Sequence, residues 1–473
     1  MADVAVELYH SLQQTFEGVN QGHVFSFWSK LVPDERRQLL EDLSLINVPA
    51  LPELSRIATS RYSAGVAAAD ILPPEVVPRE SVDRDVIDQG RALLSRGKAA
   101  AFTVAGGQGT RLGFDGPKGA FVISPVRDKP LFQLFAENIA ATDRRYGCRT
   151  RWYIMTSPAN DEATRSFFEQ NKYFGLRPDA VAFFQQGVMP AFSRDGKVLL
   201  AEKHRLALSP DGHGGSLLAL ARSGMLADMA ERGIEYISYF QVDNPLVACL
   251  DPAFIGLHAA RGSEMSSKSL PKADDYEKVG VFAISQGRLT VIEYSDFPQE
   301  LAVARNPDGS RRFDAGNIAI HLLSRSFVER LTADAASFAL PWHRANKKMP
   351  CVDLKTGAGI EPAEPNAIKL ESFVFDALPL ARNPIVMETS RAEEFSPVKN
   401  ATGVDSVDTA RRDMNRRAAR WLEAAGFSVP RTPAGEPDGL FEISPLAALD
   451  CDQLREGQRG GRKLERGSKF YLE

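Results

Sequence analysis

Cysteine is scarce in this chain of 473 residues, and its placement excludes two chemistries. Cys148, Cys249, Cys351 and Cys451 are the four cysteines, and they stand about a hundred residues apart. No two have the close spacing of a zinc site or a CxxC redox motif, so free thiols in a reducing compartment are expected. Also missing is an apolar run of the ~18 residues that would span a bilayer. The opening Met-Ala-Asp-Val-Ala-Val-Glu carries acids where a secretory leader carries basic residues before an apolar core. These absences predict a cytoplasmic protein with no membrane partner. A basic surplus is absent as well: 57 Lys and Arg against 61 Asp and Glu give a net charge of −4. No global field invites nucleic acid, so any affinity for phosphate must be local. No internal repeat is found.

A chain of this length is expected to form two or three domains and to bury a core without disulfides or structural metals. Residues 1–90 read as a helical region. Leu39, Leu40, Leu43 and Leu45 follow Pro33-Asp34-Glu35, a helix start with acids in its first turn. The segment 72–80, Leu-Pro-Pro-Glu-Val-Val-Pro-Arg-Glu, is a connector, since its prolines forbid a regular helix. Within 91–385 the pattern changes. Apolar runs at Ala99–Ala105, Trp152–Met155, Ala180–Phe184 and Tyr236–Val242 alternate with helix-like stretches. That alternation predicts an α/β domain, doubly wound around a mostly parallel sheet. Two β-rich runs between 279 and 294 flank Ser285-Gln286-Gly287-Arg288 and predict an added hairpin. Residues 386–473 form a smaller C-terminal domain. Its arginines at 411–420 flank an apolar stripe, which predicts a solvated helix face. The basic, glycine-rich tail from Arg455 to Lys469 is expected to be loosely ordered.

The most informative segment is 104–119, Val-Ala-Gly-Gly-Gln-Gly-Thr-Arg-Leu-Gly-Phe-Asp-Gly-Pro-Lys-Gly, directly after an apolar strand. Open α/β sheets bind ligands at that place. Gly106, Gly107 and Gly109 would let backbone N–H groups approach a phosphate chain, with Arg111 as a fork of donors and Lys118 as a point charge. The spacing is not that of a P-loop, which counts against a kinase of that type. Nor is it the dinucleotide fingerprint, because Leu112 stands where a small residue is needed.

The segment Ala-Gly-Gly-Gln-Gly-Thr-Arg-Leu-Gly with Pro-Lys-Gly resembles the nucleotide loop of the UDP-sugar pyrophosphorylases, closest to the UDP-N-acetylglucosamine pyrophosphorylase branch. Further segments follow in that family's order. They include Phe-Phe-Gln-Gln-Gly-Val-Met-Pro (183–190), Val-Asp-Asn-Pro-Leu-Val (242–247), Asp-Ala-Gly-Asn-Ile-Ala-Ile-His (314–321), Lys-Leu-Glu-Ser-Phe-Val-Phe-Asp (369–376) and Glu-Phe-Ser-Pro-Val-Lys-Asn (394–400).

The resemblance implies a Rossmann-like nucleotidyltransferase that joins UTP to a sugar 1-phosphate and releases pyrophosphate. It implies Arg111, Lys118, Lys369 and Lys399 as the cations of the reaction. Ala105, Gly106, Gly107, Gln186, Gly212 and Asp243 are the matching nucleotide contacts, again with Lys118 and Lys369. His213, Gly280, Glu293, Tyr294 and Asn317, with Lys399, match the sugar-phosphate contacts. Asp243, expected at the carboxyl end of a strand, is the one implied ligand for Mg²⁺ or Mn²⁺. Lys347 and Lys348 either line the site or face solvent.

One position departs from the pattern. The acetylamino-sugar branch carries asparagine where this chain has His213, and histidine there resembles the UDP-glucose and broad UDP-sugar branches. N-acetylglucosamine 1-phosphate is the expected substrate, with glucose 1-phosphate as the alternative. A catalytically silent nucleotide-sugar-binding protein is the alternative from another class, and the presence of Arg111, Lys118 and Asp243 counts against it.

Overall fold

The computed structural model describes residues 2–60, 70–334, 338, 340–457 and 461–473. The chain forms two compact units, each assembled from three stretches. This spatial grouping cuts across the sequence-order partition at residues 90 and 385.

The larger unit comprises Val66–Gln185, Leu217–Phe338 and Ala377–Glu473. Its ten-stranded sheet contains β1 (Ile71–Leu72), β2 (Ala99–Val104), β3 (Trp152–Thr156), β4 (Val181–Gln185) and β5 (Tyr236–Gln241). The others are β6 (Met265–Pro271), β7 (Val281–Ser285), β8 (Arg288–Ile292), β9 (Ala315–Ser324) and β10 (Ile385–Glu388). The main path runs β1-β7-β9-β5-β2-β3-β4. β5, β2, β3 and β4 are mutually parallel, and β9 enters antiparallel to β5. Their near-continuous apolar composition follows from burial on both faces. The expected hairpin is present as β7–β8, with Gln286 and Gly287 both at positive φ in its turn.

Helices cover both faces. On one, α4 (Arg84–Ser95), α5 (Leu131–Tyr146), α6 (Asp161–Gln170) and α8 (Pro252–Ala260) bury Leu94, Phe135, Phe168 and Phe254 against Trp152, Ile154 and Phe240. On the other, Tyr153 donates to Asp228 of α7 (Met225–Glu231) at 2.6 Å. α4 and α8 touch backbone to backbone: a Cβ on Gly90 would stand 1.9 Å from the Pro252 carbonyl oxygen, and one on Gly256 1.9 Å from that of Val86. Glycine is the residue that permits this approach.

Within the same unit, α9 (Val407–Ala424) opens on a reciprocal cap between Ser406 and Thr409. It packs on the parallel strand pair Gly439–Ile443 and Ser468–Leu472. Of the tail expected to be loose, residues 458–460 lie outside the described residues, and its last two, Ser468 and Lys469, begin a paired strand in which the following Phe470 and Leu472 bury apolar side chains. The arginine face of α9 is also not simply solvated. Arg411, Arg417 and Arg420 reach backbone carbonyls of neighbouring segments.

The smaller unit comprises Met1–Gly65, Gln186–Ser216 and Ala339–Asp376. Helices α1 (Ala2–Gly18), α2 (Pro33–Ser44) and α3 (Leu51–Thr59) bury Phe16, Leu39, Leu43 and Leu54 against Phe192, Leu206, Ile368 and Leu370. The carboxylate of Asp42 accepts from Arg205 Nε at 2.8 Å and Leu206 N at 3.0 Å, tying α2 to the second stretch.

Candidate active site

In the larger unit the glycine loop leaves the carboxyl end of β2, and Val242 N donates to Val104 O as the neighbouring β5 ends. Ala105 and the residues after it therefore meet Asp243 at one edge of the sheet, the ligand edge of an open parallel sheet. Lys118 is 7% exposed, and its Nζ lies 3.8 Å from Asp243 Oδ2. Burial is the main cause that pulls the Lys118 ammonium below the ordinary lysine range. Asp243 opposes that shift, while Arg111 and Lys399 add to it. Arg111 and Lys399 thus both lie within electrostatic reach of Lys118, which stands beside the Asp243 carboxylate. Such a cluster favours an anion that can take the cations' charge.

The loop's shape has its own supports. Ser157 Oγ donates to Gly106 O at 2.9 Å, and Asn160 Nδ2 donates to Ala105 O at 2.9 Å and Gly107 O at 3.2 Å. A Cβ on Gly107 would meet nothing within 4 Å, so that face of the loop is open to a ligand. Gly109 plays a different part from the one expected. A Cβ there would strike Phe114, and its N–H is already donated to Gly116 O at 2.9 Å. It closes the turn, so its N–H is not available for phosphate.

Asn244, next to Asp243, is buried and clamps a second segment. Its Nδ2 donates to Glu394 O at 2.7 Å, and its Oδ1 accepts from Ser396 N at 3.2 Å. Val398 N donates to Asp243 O at 2.8 Å. The segment 394–399 is thereby fixed against the Asp243 turn, which brings Lys399 to the cluster. Lys399 Nζ is 3.3 Å from Asp405 Oδ2.

Because β9 runs antiparallel to β5, its first residues lie at this same edge. Asn317 N donates to Gly280 O at 2.8 Å, and a Cβ on Gly280 would stand 3.3 Å from Glu293 Oε1. Gly280, Glu293 and Asn317 are therefore neighbours, and Tyr294 is exposed beside Glu293.

Gln186, Gly212, His213 and Lys369 belong to the smaller unit. Gln186 is buried. Gly212 adopts φ 88°, and a Cβ there would lie 2.3 Å from Ser372 O. Glycine is required on both counts. The imidazole of His213 accepts Val374 N–H at Nδ1 (3.1 Å), which leaves its proton on Nε2. Its ring stacks on Phe373 at 5.1 Å. Burial first, then the neighbouring His343, push its pKa down to about 4, so it is neutral near pH 7. Lys369 Nζ pairs with Glu371 at 2.7 Å. Lys347 is exposed, and Lys348 donates to the Ala363 carbonyl.

Sequence reasoning missed Ser157, Asn160 and Asn244 as supports. The only signal available was position: each stands within four residues of a strand's carboxyl end.

The family described as UTP--glucose-1-phosphate uridylyltransferase matches residues 59–418. UDP-N-acetylglucosamine diphosphorylase 1 of Arabidopsis thaliana is 36% identical, over 95% of this chain and 91% of that protein. UDP-N-acetylglucosamine pyrophosphorylase of Saccharomyces cerevisiae is 34% identical, over 94% and 96%. The crystal structure of the uridine diphosphate N-acetylglucosamine pyrophosphorylase from Trypanosoma brucei, in complex with an inhibitor, superposes with a TM-score of 0.80 at 27% identity. It covers 94% of this chain and 93% of that one.

Proposed function

We infer that this chain, which belongs to the UTP–glucose-1-phosphate uridylyltransferase family, joins UTP to a sugar 1-phosphate, giving a UDP-sugar and pyrophosphate. The sugar we assign is N-acetylglucosamine, as in the names of its relatives. One observation carries the reading: buried Lys118 stands 3.8 Å from Asp243 at the ligand edge of the sheet, within the electrostatic reach of Arg111 and Lys399. The reaction needs no protein nucleophile, because the sugar phosphate brings its own oxygen. That oxygen bonds to the α-phosphorus of UTP as the bond to the β-phosphate oxygen breaks, and pyrophosphate leaves with the electron pair. Holding two polyanions in line and neutralising the leaving charge is then the protein's task. Lys118 suits it because a desolvated ammonium acts through a low dielectric. Arg111 and Lys399 extend the same field, and Glu293 and Asn317 offer an acceptor and an amide to sugar hydroxyls.

A divalent cation fits the residues present. Among the described residues no cluster of three or more metal-ligating side chains occurs. Mg²⁺ characteristically takes one or two carboxylates and fills its sphere with phosphate oxygens and water. Asp243 would be its protein ligand, and the ion would supply charge neutralisation at the phosphates.

The second reading, glucose 1-phosphate, rests on His213. An Nε2–H imidazole offers a sugar one donor, whereas an asparagine offers both a donor and an acceptor. Pyrophosphate release from UTP and Mg²⁺ with N-acetylglucosamine, N-acetylgalactosamine, glucose or galactose 1-phosphate decides between the readings. Preference for an acetylamino sugar supports the first, and preference for glucose or galactose replaces it with the second. Release with none, from folded protein, overturns both. The same reading, with four free thiols and no helix among the described residues long and apolar enough to cross a membrane, assigns the enzyme to the cytoplasm.

A further inference from the structure

The larger unit contains a cleft of about 910 Å³ that none of Lys118, Asp243 or Lys399 lines. Cavities of this size hold small organic ligands. Its walls combine Leu134, Phe135 and Trp421 with two charged groups that the fold leaves incompletely used. Arg417 donates through Nη1 to Leu246 O at 3.0 Å and Glu393 O at 2.9 Å, with its guanidinium 5.2 Å from the centre of the Trp421 ring. Among the described residues no carboxylate stands within ion-pair distance of it. Burial pulls its pKa down to about 10, against the opposing field of Glu393. Glu442 is 4% exposed, and its Oε2 accepts from Val126 N and Arg127 N. Its Oε1 is equally buried and accepts nothing from the protein. The other arginines of the walls are compensated: Arg79 by Asp251, Arg91 by Asp88, Arg145 by Asp450 and Arg455 by Asp452.

We propose that this cleft is a second, regulatory ligand site. Its ligand is an organic acid with an apolar or aromatic body and a hydroxyl or ammonium group. The acid would pair with the free edge of Arg417, the body would lie among the apolar walls, and the donor would satisfy Glu442. Such a ligand acts on the active site through a short chain of contacts. Arg417 holds the carbonyls of Leu246 and Glu393, and Leu246 N and Glu394 O are both bonded to Asn244, the neighbour of Asp243. An anion that draws Arg417 off those carbonyls loosens the turn that sets Asp243 and the segment that carries Lys399.

Cys451 lines the cleft, in the cluster that surrounds Trp421, and serves as a reporter. In a Cys148→Ser background, the Cys451 thiolate attacks the disulfide of 5,5′-dithiobis(2-nitrobenzoate). A mixed disulfide forms, and coloured thionitrobenzoate leaves. With rates normalised to N-acetylcysteine, the anionic reagent should outpace neutral 4,4′-dithiodipyridine about ten-fold. Arg417→Ala should abolish that preference. Where that variant does not fold, added 2-nitrobenzoate should slow dithiodipyridine labelling of the parent protein. Cys148→Ser/Cys451→Ser, which lacks the target, should give no such signal. Equal rates with no protection, or a preference that survives Arg417→Ala, overturn the site. This arm needs no assumption about the reaction catalysed. Protein labelled at Cys451 should then show kcat or KM for pyrophosphate release changed several-fold. Labelling with the expected preference but unchanged kinetics overturns the regulatory role.

Discussion

Lys268 lies on β6 with no exposure at all, its Nζ 2.7 Å from Asp251 Oδ2 and 2.7 and 2.6 Å from the two oxygens of Glu394. Those acids are themselves 3% and 8% exposed at the side chain, and among the described residues Arg79 is the other cation that touches Asp251. Lys268→Met keeps the volume of the stem and removes the charge, stranding two buried carboxylates beside one arginine. Breaking a buried pair from one side costs about 3–5 kcal/mol, because the desolvated partner loses its counter-charge. Chemical denaturation at pH 7.5 should therefore show a loss in that range. Adding Glu394→Gln removes the stranded charge, and the double variant should recover about 1–3 kcal/mol. The pH dependence follows from the same chemistry. Although burial alone would raise it, Lys268 and Arg79 hold the Asp251 carboxyl well below its ordinary range in the wild type. Its contribution is thus present above the unfolded pKa and persists far into acid. Without Lys268 the buried pair takes up a proton as pH falls, so the variant's deficit should narrow between pH 7.5 and 5. A loss under about 1 kcal/mol, or strict additivity in the double variant, would refute this account of the network.

Three other outcomes are expected. Lys118→Met should lower kcat/KM for pyrophosphate release about 10²–10³-fold. It should not lower the unfolding midpoint, because burial already disfavours that charge in the folded state. Gly212→Ala combines φ 88° with a Cβ 2.3 Å from Ser372 O and should cost about 2–4 kcal/mol in urea. A cost below about 1 kcal/mol would show that the strand relaxes freely. His213 and His258 have pKa values pushed down by burial to about 4 and about 3, so the unfolded chain binds protons below pH 6.5 that the folded chain refuses. Stability should fall as pH drops from 6.5 toward 4, by up to about 1.4 kcal/mol per unit for each histidine. His258→Gln should flatten that slope in denaturation curves.

The parallel sheet was legible because β2, β3, β4 and β5 are short apolar runs buried on both faces, and burial writes itself into composition. The glycine loop was legible because its position after β2 and its Arg and Lys carry chemistry that turn geometry does not require. Asp243 followed from the end of an apolar run. What stayed hidden depends on contacts distant in sequence. Nothing near Asn244 announces that it holds residue 394, and nothing in 411–420 distinguishes Arg417, turned inward, from Arg416, paired with Glu436 at the surface. The last strand was missed because its run of apolar residues is brief and follows a basic, glycine-rich stretch. Its order comes from a partner strand that local sequence does not reveal. In sequence alone, a glycine that closes a turn, as Gly109 does, and one that admits a ligand look alike until the neighbour, Phe114, is placed.

The Ser468–Leu472 strand bears on the timing of synthesis. Lys129 follows the glycine loop by about ten residues, and its ammonium, besides pairing with Glu137, donates to Tyr471 Oη, 342 positions later. At about 5–20 residues per second, a ribosome needs roughly 17–70 s to travel from one to the other. Through that interval Lys129 lacks its tyrosine partner, and Ser444 N lacks Leu472 O. A chain interrupted before residue 471 would leave the segment that follows the glycine loop without these ties. Inhibitors of elongation should therefore leave nascent chains that proteases cut near residue 129 and spare once residue 471 has been released.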